Sequence, residues 1–284
     1  MNISLFHLCL EIAQWLLIVA LLAMLLNKRL HARILDKGGP VFRSNYDESR
    51  NSISFLGGFC VRNRNGEDIT SQFSPILRRV LVALVVYSAE DTQGVWGERL
   101  DSLIWGYKPD GTASNNRNVY LSRLRKALQD VDGVSISTRN QMTSISFDST
   151  VSCDYIEMIR LYRTEGSFVD VDKLLSILLK GEPFTNMNDD WLKAFKDDFS
   201  TATVAYLSQL LSSEALSGNV RLKISEIIVR YDKLNEPALR TRCRINNRQG
   251  NLSLAKEIYE QYRRDYKEFI GEEYHQSFKG ILSI

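Results

Sequence analysis

The sequence contains little of what enzymes and disulfide-stabilised proteins require. Its four cysteines, Cys9, Cys60, Cys153 and Cys243, are isolated, with no CxxC pair and no metal-ligand spacing. This pattern is typical of a reducing compartment rather than of a disulfide framework. The three histidines are scattered, and no phosphate loop, dinucleotide fingerprint, HExxH motif or nucleophile with a partnered base occurs. We therefore expect no catalytic activity, no metal and no cofactor.

An excess of charge of one sign is also missing. The 36 basic and 34 acidic residues leave a formal net charge of +2. Any affinity for a polyanion such as DNA must therefore come from a local cluster of basic side chains. The length of 284 residues and the ordinary composition predict about two globular domains.

One long apolar run is present, close to the N-terminus, at residues 5–27. As a helix it would be about 33 Å long, enough to cross a bilayer core of about 30 Å. Because Lys28, Arg29 and Arg33 follow, we predict an uncleaved transmembrane helix with its C-terminal side in the cytoplasm. The alternatives are a signal-peptide core, although no basic residue precedes the run and no cleavage site follows it, and a buried soluble helix. Residues 28–51, rich in Gly, Ser and charge, predict a flexible cytoplasmic linker.

The strongest local signal is a basic helix at residues 115–128. Its leucines recur at three- and four-residue steps, which predicts one buried stripe. Polar and basic side chains lie on the opposite side, and no acidic residue occurs between Asp110 and Asp130. A helix of this kind fits the major groove of duplex DNA. For this stretch taken alone, a solvated basic face is the alternative.

The segments around this helix predict a small α+β domain. Alternating apolar residues from Ile53, with a turn at Asn65-Gly66, predict an antiparallel sheet in which Ile69 resumes the strand. Ser74-Pro75 marks the start of a first helix, and a second helix spans about 97–105. After the basic helix the alternation returns and predicts a hairpin that turns around Arg139-Asn140. The order is therefore sheet, three helices and hairpin.

Residues 52–150 resemble the winged helix-turn-helix of the OmpR/PhoB response-regulator class, and more specifically that of SARP-type bacterial transcriptional regulators. The matching stretches are Leu56-Gly57 with Phe59, Val95 to Gly106, and above all Asn118 to Leu128, which contains SRLRKAL. Two features depart from the family pattern. Trp96 stands where a small capping residue is usual, and the wing lacks the common Gly-x-Gly-Tyr pattern.

The resemblance implies which side chains contact double-stranded DNA. On the recognition helix, 115–128, they are Arg117, Asn118, Ser122, Arg123, Arg125 and Lys126. Arginine can bridge guanine O6 and N7, whereas lysine on phosphate gives affinity without sequence information. At the wing, Arg139 would reach the adjacent minor groove. A solvated turn residue is the alternative for Arg139.

Residues 151–284 predict an all-α domain of paired helices, similar to a tetratricopeptide (TPR) array. Helices are predicted around 156–162 and 174–179, and then at 191–211, 213–217, 220–231, 236–248, 252–268 and 272–282. This half resembles the bacterial transcriptional activator domain that follows the winged helix in SARP-type proteins. The matching residues are Cys153-Asp154, Gly181 to Phe184, Trp191, Tyr231-Asp232, Asn235 to Leu239 and Gly250 to Tyr262.

By resemblance, the array engages RNA polymerase or mediates homodimerisation on DNA. Aromatic side chains are the candidates for such contacts, although most aromatics at helical spacing belong to a core. The candidates are Tyr162, Trp191, Tyr206, Tyr231, Tyr259, Tyr262 and Tyr266.

The whole chain is therefore predicted to be an α+β winged helix-turn-helix followed by an all-α TPR-like repeat domain, behind a single N-terminal transmembrane helix. The predicted function is that of a sequence-specific DNA-binding transcriptional regulator in the bacterial inner (plasma) membrane, with both domains in the cytoplasm and the helix in membrane lipid. The alternative is a membrane-tethered protein-interaction adaptor whose winged helix does not bind DNA. Internal ion pairs at Arg123 and Arg125, or an array that covers them, would favour the adaptor.

Overall fold

The computed structural model describes residues 48–106, 112–163, 170–213 and 216–283. The predicted transmembrane helix at 5–27 and most of the predicted linker at 28–51 lie outside these residues. Within the described ranges, no helix combines the length and the apolar character needed to cross a bilayer. The predicted α+β organisation, with small sheets followed by helices, is confirmed.

A three-stranded sheet begins the described chain. Strand β1 (Ser52–Ser54) pairs antiparallel with β2 (Cys60–Arg62) and parallel with β6 (Ser152–Cys153). After the turn that follows β2, the N–H of Ile69 donates a hydrogen bond to the carbonyl of Val61. The predicted strand at Ile69 is therefore reduced to this contact and is not a further strand. The sheet thus joins the start of the chain to the point where the second half begins.

Three α-helices follow within the described residues, as predicted. They are α1 (Pro75–Glu90), α2 (Gly97–Trp105) and α3 (Thr112–Ala127). Ser74 caps α1 by accepting the Leu77 N–H at 3.4 Å, with Pro75 at the first helical position, which confirms the predicted start. Helix α2 begins after Trp96 without a side-chain cap, because an indole has no oxygen to accept the free N–H groups.

The wing is a hairpin of β4 (Val134–Arg139) and β5 (Met142–Phe147), and β3 (Val95–Trp96) pairs with β5 on its other side. Asn140 and Gln141 form the turn, with φ of 49° and 65°. Two left-handed residues give the tight hairpin turn that matches strand twist. The prediction placed the turn one residue too early, and Arg139 is the last residue of β4.

The second half contains seven α-helices in its described residues. The predicted helix at 213–217 is not present at Ser213, Leu216 or Ser217, and Glu214 and Ala215 lie outside the described residues. The last helix begins only at Phe278, where Ser277 caps it. The bounds are α4 (Asp154–Arg163), α5 (Val171–Leu179), α6 (Asp190–Leu211), α7 (Gly218–Tyr231), α8 (Glu236–Arg248), α9 (Leu252–Ile270) and α10 (Phe278–Leu282).

One hydrophobic core runs through both halves, from Ile53 to Ala238. A second, smaller cluster lies between α8, α9 and α10 and includes Leu239, Tyr259 and Tyr262. The winged helix and the first helices of the array therefore bury their apolar surfaces against each other.

Buried polar contacts define this junction, which we call the seam. The Asp154 carboxylate accepts the backbone N–H groups of Phe55, at 2.8 Å, and of Leu56, at 3.2 Å, and the Lys180 ammonium at 2.7 Å. The N–H of Phe184 donates to the carbonyl of Phe55 at 2.8 Å. Burial raises the pKa of Asp154, and the charge of Lys180 opposes that rise. The seam thus joins three segments that are far apart in sequence.

Candidate nucleic-acid interface

Helix α3 has one buried and one exposed side. Leu121, Leu124 and Leu128 are buried against the rest of the domain, which confirms the predicted stripe. The exposed residues of the same stretch are Asn115, Asn118, Val119, Ser122, Arg123, Arg125 and Lys126. Five of the six residues of α3 that were predicted to contact DNA are therefore exposed on one surface, namely Asn118, Ser122, Arg123, Arg125 and Lys126.

The exposed arginines of α3 contact a ring and a backbone carbonyl, and no carboxylate of the described residues pairs with them. The Arg123 guanidinium lies 5.2 Å from the centre of the Tyr120 ring, and Arg125 Nε donates to the Ile136 carbonyl at 3.4 Å. Among the described residues, neither arginine nor Lys126 forms an ion pair with a carboxylate. Contacts to a ring and to a carbonyl leave the positive charge and most of the donors available.

Arg117 differs from the other predicted contacts. Its guanidinium lies 2.5 Å from Asp101 on α2 and donates to Ser114 Oγ at 3.1 Å. Only 19% of the Arg117 side chain and 12% of the Asp101 side chain are exposed. Burial raises the pKa of Asp101, and the Arg117 charge opposes that rise. Arg117 therefore joins α2 to α3 instead of lying on the exposed surface.

The position of Arg117 follows from the helical repeat. It precedes Leu121 by four residues and Leu124 by seven, so it falls on the buried side of α3. A methyl group at Gly97 would lie 2.6 Å from the guanidinium, so a larger first residue of α2 would displace the Arg117 side chain from this position. The spacing of Arg117 from these leucines could have indicated its inward position. Its partner Asp101 could not be identified from the sequence, because that contact depends on how α2 packs against α3.

The wing presents a polar outer face that ends in a cation. Pairs of hydroxyls hydrogen-bond across β4 and β5, Ser135 with Ser146 at 2.8 Å and Ser137 with Ser144 at 3.1 Å. Arg139 follows on the same face, next to the turn, and is exposed. Its position beside the turn is therefore close to the predicted one.

The array leaves this surface open. Within the described parts of the chain, no hydrogen bond, ion pair or ring contact connects α3 or the β4–β5 wing to helices α4–α10. The array instead contacts α1, through the ion pair of Arg79 with Asp189 at 2.6 Å and the ring contact of Tyr87 with Phe195 at 5.4 Å. The basic surface and the array thus lie on different sides of the winged helix.

Among the described residues, two exposed apolar side chains lie on or beside this surface and were not predicted as contacts. Val119 is 47% exposed on α3, and Trp96 is 55% exposed at the start of α2. A valine among polar residues could have been noticed in the sequence as a break in the pattern. The exposure of Trp96 depends on how β3 pairs with the wing, which the sequence does not state.

The thiols do not form a reactive or metal-binding cluster in the part described. Cys60, Cys153 and Cys243 are free. Burial raises the pKa of the Cys243 thiol to about 11. No group of three His, Cys, Asp or Glu side chains within the described ranges could hold a metal ion.

Comparison with known proteins informs the fold of the chain. No protein-family model matches this chain, and no curated protein sequence matches it. A solved structure of EmbR from Mycobacterium tuberculosis, in complex with a low-affinity phosphopeptide, is similar, with a TM-score of 0.51 at 16% sequence identity. The match covers 81% of this chain and 63% of EmbR, so the chain spans less than two thirds of the length of that protein. At this identity the likeness concerns the fold alone.

Proposed function

We propose that this chain is a sequence-specific, DNA-binding transcriptional regulator. The observation that carries the proposal is the exposed side of α3, where three cations accompany Asn118 and Ser122 and have no carboxylate partner among the described residues. A duplex major groove accepts one α-helix, and its phosphates attract a positive surface. The SARP-like fold supports the same assignment.

Each exposed side chain suits a different part of the groove. Arg123 and Arg125 can bridge guanine O6 and N7, and Asn118 can bridge adenine N6 and N7. Val119 suits the thymine methyl, which is the apolar group of the major groove. Lys126, near the C-terminal end of α3, suits a phosphate. Together these chemistries can distinguish one DNA sequence from another.

Arg117 and Arg139 have different roles in the proposal. Arg117 positions α3 through Asp101 and does not contact DNA. Arg139, exposed beside the wing turn, contacts the minor groove next to the one that α3 enters. The DNA-binding set is therefore Asn118, Val119, Ser122, Arg123, Arg125, Lys126 and Arg139.

The remaining parts of the proposal concern the ends of the chain. A transmembrane helix at 5–27 holds the regulator in the bacterial inner membrane, with the described domains in the cytoplasm. The array engages RNA polymerase or a second copy of the chain on DNA. The protein catalyses no reaction and needs no cofactor.

Selection of bound sequences from a random DNA pool tests the function. The full chain, in detergent micelles, is incubated with the pool, and bound duplexes are amplified and sequenced. We expect enrichment of one motif, with recovery lost in a variant that carries both Arg123→Ala and Arg125→Ala. Recovery of no motif by the wild-type chain would overturn the proposal and favour the membrane-tethered adaptor.

A further inference from the structure

Trp96 is an exposed aromatic residue beside the proposed DNA surface. Its side chain shows no hydrogen bond, ring contact or cation contact among the described residues, so its indole N–H has no acceptor there. Yet its backbone is fixed, because it pairs with Met142 in the sheet. An exposed tryptophan side chain on a fixed backbone suits a contact with another molecule, because its ring is apolar and its N–H is a donor.

Strand register places Trp96 on the same face as the wing cation. Met142 lies opposite Trp96 on one side and opposite Arg139 on the other. Directly opposed residues in neighbouring strands point to the same face of the sheet. Trp96, Met142 and Arg139 therefore form one row across the three strands, which we call the wing row.

The other side of Trp96 adjoins α3. The next residue, Gly97, lies so close to the Arg117 guanidinium that a methyl group there would be 2.6 Å from it. The N–H of Gly97 also donates to the carbonyl of Gln141 in the wing turn, at 2.8 Å. Trp96 is therefore fixed between the proposed major-groove helix and the proposed minor-groove wing.

We propose that Trp96 contacts the sugar–phosphate backbone that separates these two grooves. The inference rests on the proposed function, because it needs α3 and the wing to occupy neighbouring grooves of one duplex. Adjacent grooves are separated by one sugar–phosphate strand, so that strand passes over the residues between α3 and the wing. The indole ring packs on deoxyribose, and its N–H donates to a phosphate oxygen.

A neutral donor makes this contact different from those of the cations. Trp96 releases no counterion, so it adds affinity without steepening the salt dependence. Trp96 contacts no base edge, so it adds equally to the affinity for every DNA sequence. The neighbouring carboxylate of Glu98 is exposed and repels phosphate, and we therefore expect Glu98→Gln to bind DNA more tightly than the wild-type chain.

The test measures the affinity of the full chain in micelles for the selected duplex and for a scrambled one. Trp96→Ala is expected to weaken both by about ten-fold, the loss typical of a hydrogen bond to a charged group. Trp96→Phe keeps a ring but has no N–H, and its DNA affinity is expected to lie between those of the wild type and Trp96→Ala. The matched control is Phe269→Ala, which removes an aromatic side chain that is 60% exposed on the array and should bind like the wild type.

Salt titration and quenching give independent readouts. The slope of log affinity against log salt stays unchanged in Trp96→Ala, whereas Lys126→Ala lowers it by about one. Acrylamide quenching, taken as the difference between the wild type and Trp96→Phe, reports on Trp96 itself. We expect the fraction of Trp96 fluorescence that acrylamide can quench to be high in the free protein and to fall when the selected duplex binds.

The possible failures are distinguishable. If the wild-type chain selects no DNA, the proposed function fails. If the wild-type chain binds its selected site and binds it more weakly as Arg123→Ala, yet Trp96→Ala binds normally and Trp96 stays open to acrylamide, only this inference is overturned. Protection of Trp96 that depends on protein concentration without DNA would also overturn it, in favour of a protein contact.

Discussion

Arg123 and Lys126 lie three residues apart on the exposed side of α3, and we expect their loss to have different consequences. Arg123→Ala should relax specificity at one base pair by about 1–3 kcal/mol, because it removes a bidentate base contact. Lys126→Ala should weaken all sequences alike and lower the salt slope by about one, because it removes a phosphate contact. Anisotropy titrations at several salt concentrations, on selected and scrambled duplexes, separate the two effects. Identical behaviour of the two variants would contradict the assignment.

Arg117 has a structural role that a second pair of variants can isolate. Arg117→Leu leaves the carboxylate of Asp101 without its cation in a site where that side chain is only 12% exposed. We expect a loss of about 2 kcal/mol in the free energy of unfolding, since an uncompensated buried charge is costly. The double variant Asp101→Leu with Arg117→Leu should recover part of that loss. Urea unfolding measures both, and equal stability of the single variant and the wild type would count against the role.

At the scale of elements, the wing turn makes a prediction about backbone conformation. Gln141 has φ of 65°, which suits glycine and disfavours β-branched residues. Gln141→Val should lower the free energy of unfolding by about 1–2 kcal/mol, whereas Gln141→Gly should change it by less than about 1 kcal/mol. The matched control is Ser137→Thr on the extended strand β4, where a β-branched residue is well tolerated and the hydroxyl that pairs with Ser144 is kept.

The elements also show what the sequence could predict. Ser74-Pro75 indicated the start of α1, and the spacing of Leu121 and Leu124 indicated the buried side of α3, because both signals are local. The partner of Arg117 and the shared seam depend on contacts between distant segments, and local periodicity carries no information about them. The wing turn was misplaced by one residue because the alternation of small polar residues does not mark the position that needs a left-handed backbone.

At the scale of the molecule, the seam binds the two halves into one unit. Gly57 has φ of 69°, and a methyl group there would lie 2.0 Å from the Lys180 carbonyl oxygen. Gly57→Ala should therefore destabilise both halves together, by more than the roughly 1 kcal/mol of backbone strain alone. The control is Gly271→Ala, which has a similar φ of 84° with no atom within 4 Å.

Hydrogen exchange monitored by mass spectrometry measures this coupling. In Gly57→Ala, we expect α1 and α4 to lose protection to the same extent, because they share one hydrophobic core. Loss of protection confined to residues 52–62, or equal effects of the two glycine variants, would contradict a single cooperative unit.

The central claim, that arginines on α3 read bases in a DNA major groove, is tested most directly by removing single atoms from the DNA. In the selected duplex each guanine is replaced in turn by 7-deazaguanine, which lacks the N7 acceptor and keeps its base pairing. We expect one replacement to weaken binding of the wild-type chain by about ten-fold and to leave the weaker binding of Arg123→Ala unchanged. If the wild type tolerates every replacement, or if Arg123→Ala loses the same factor at each guanine, the helix does not read the groove as described.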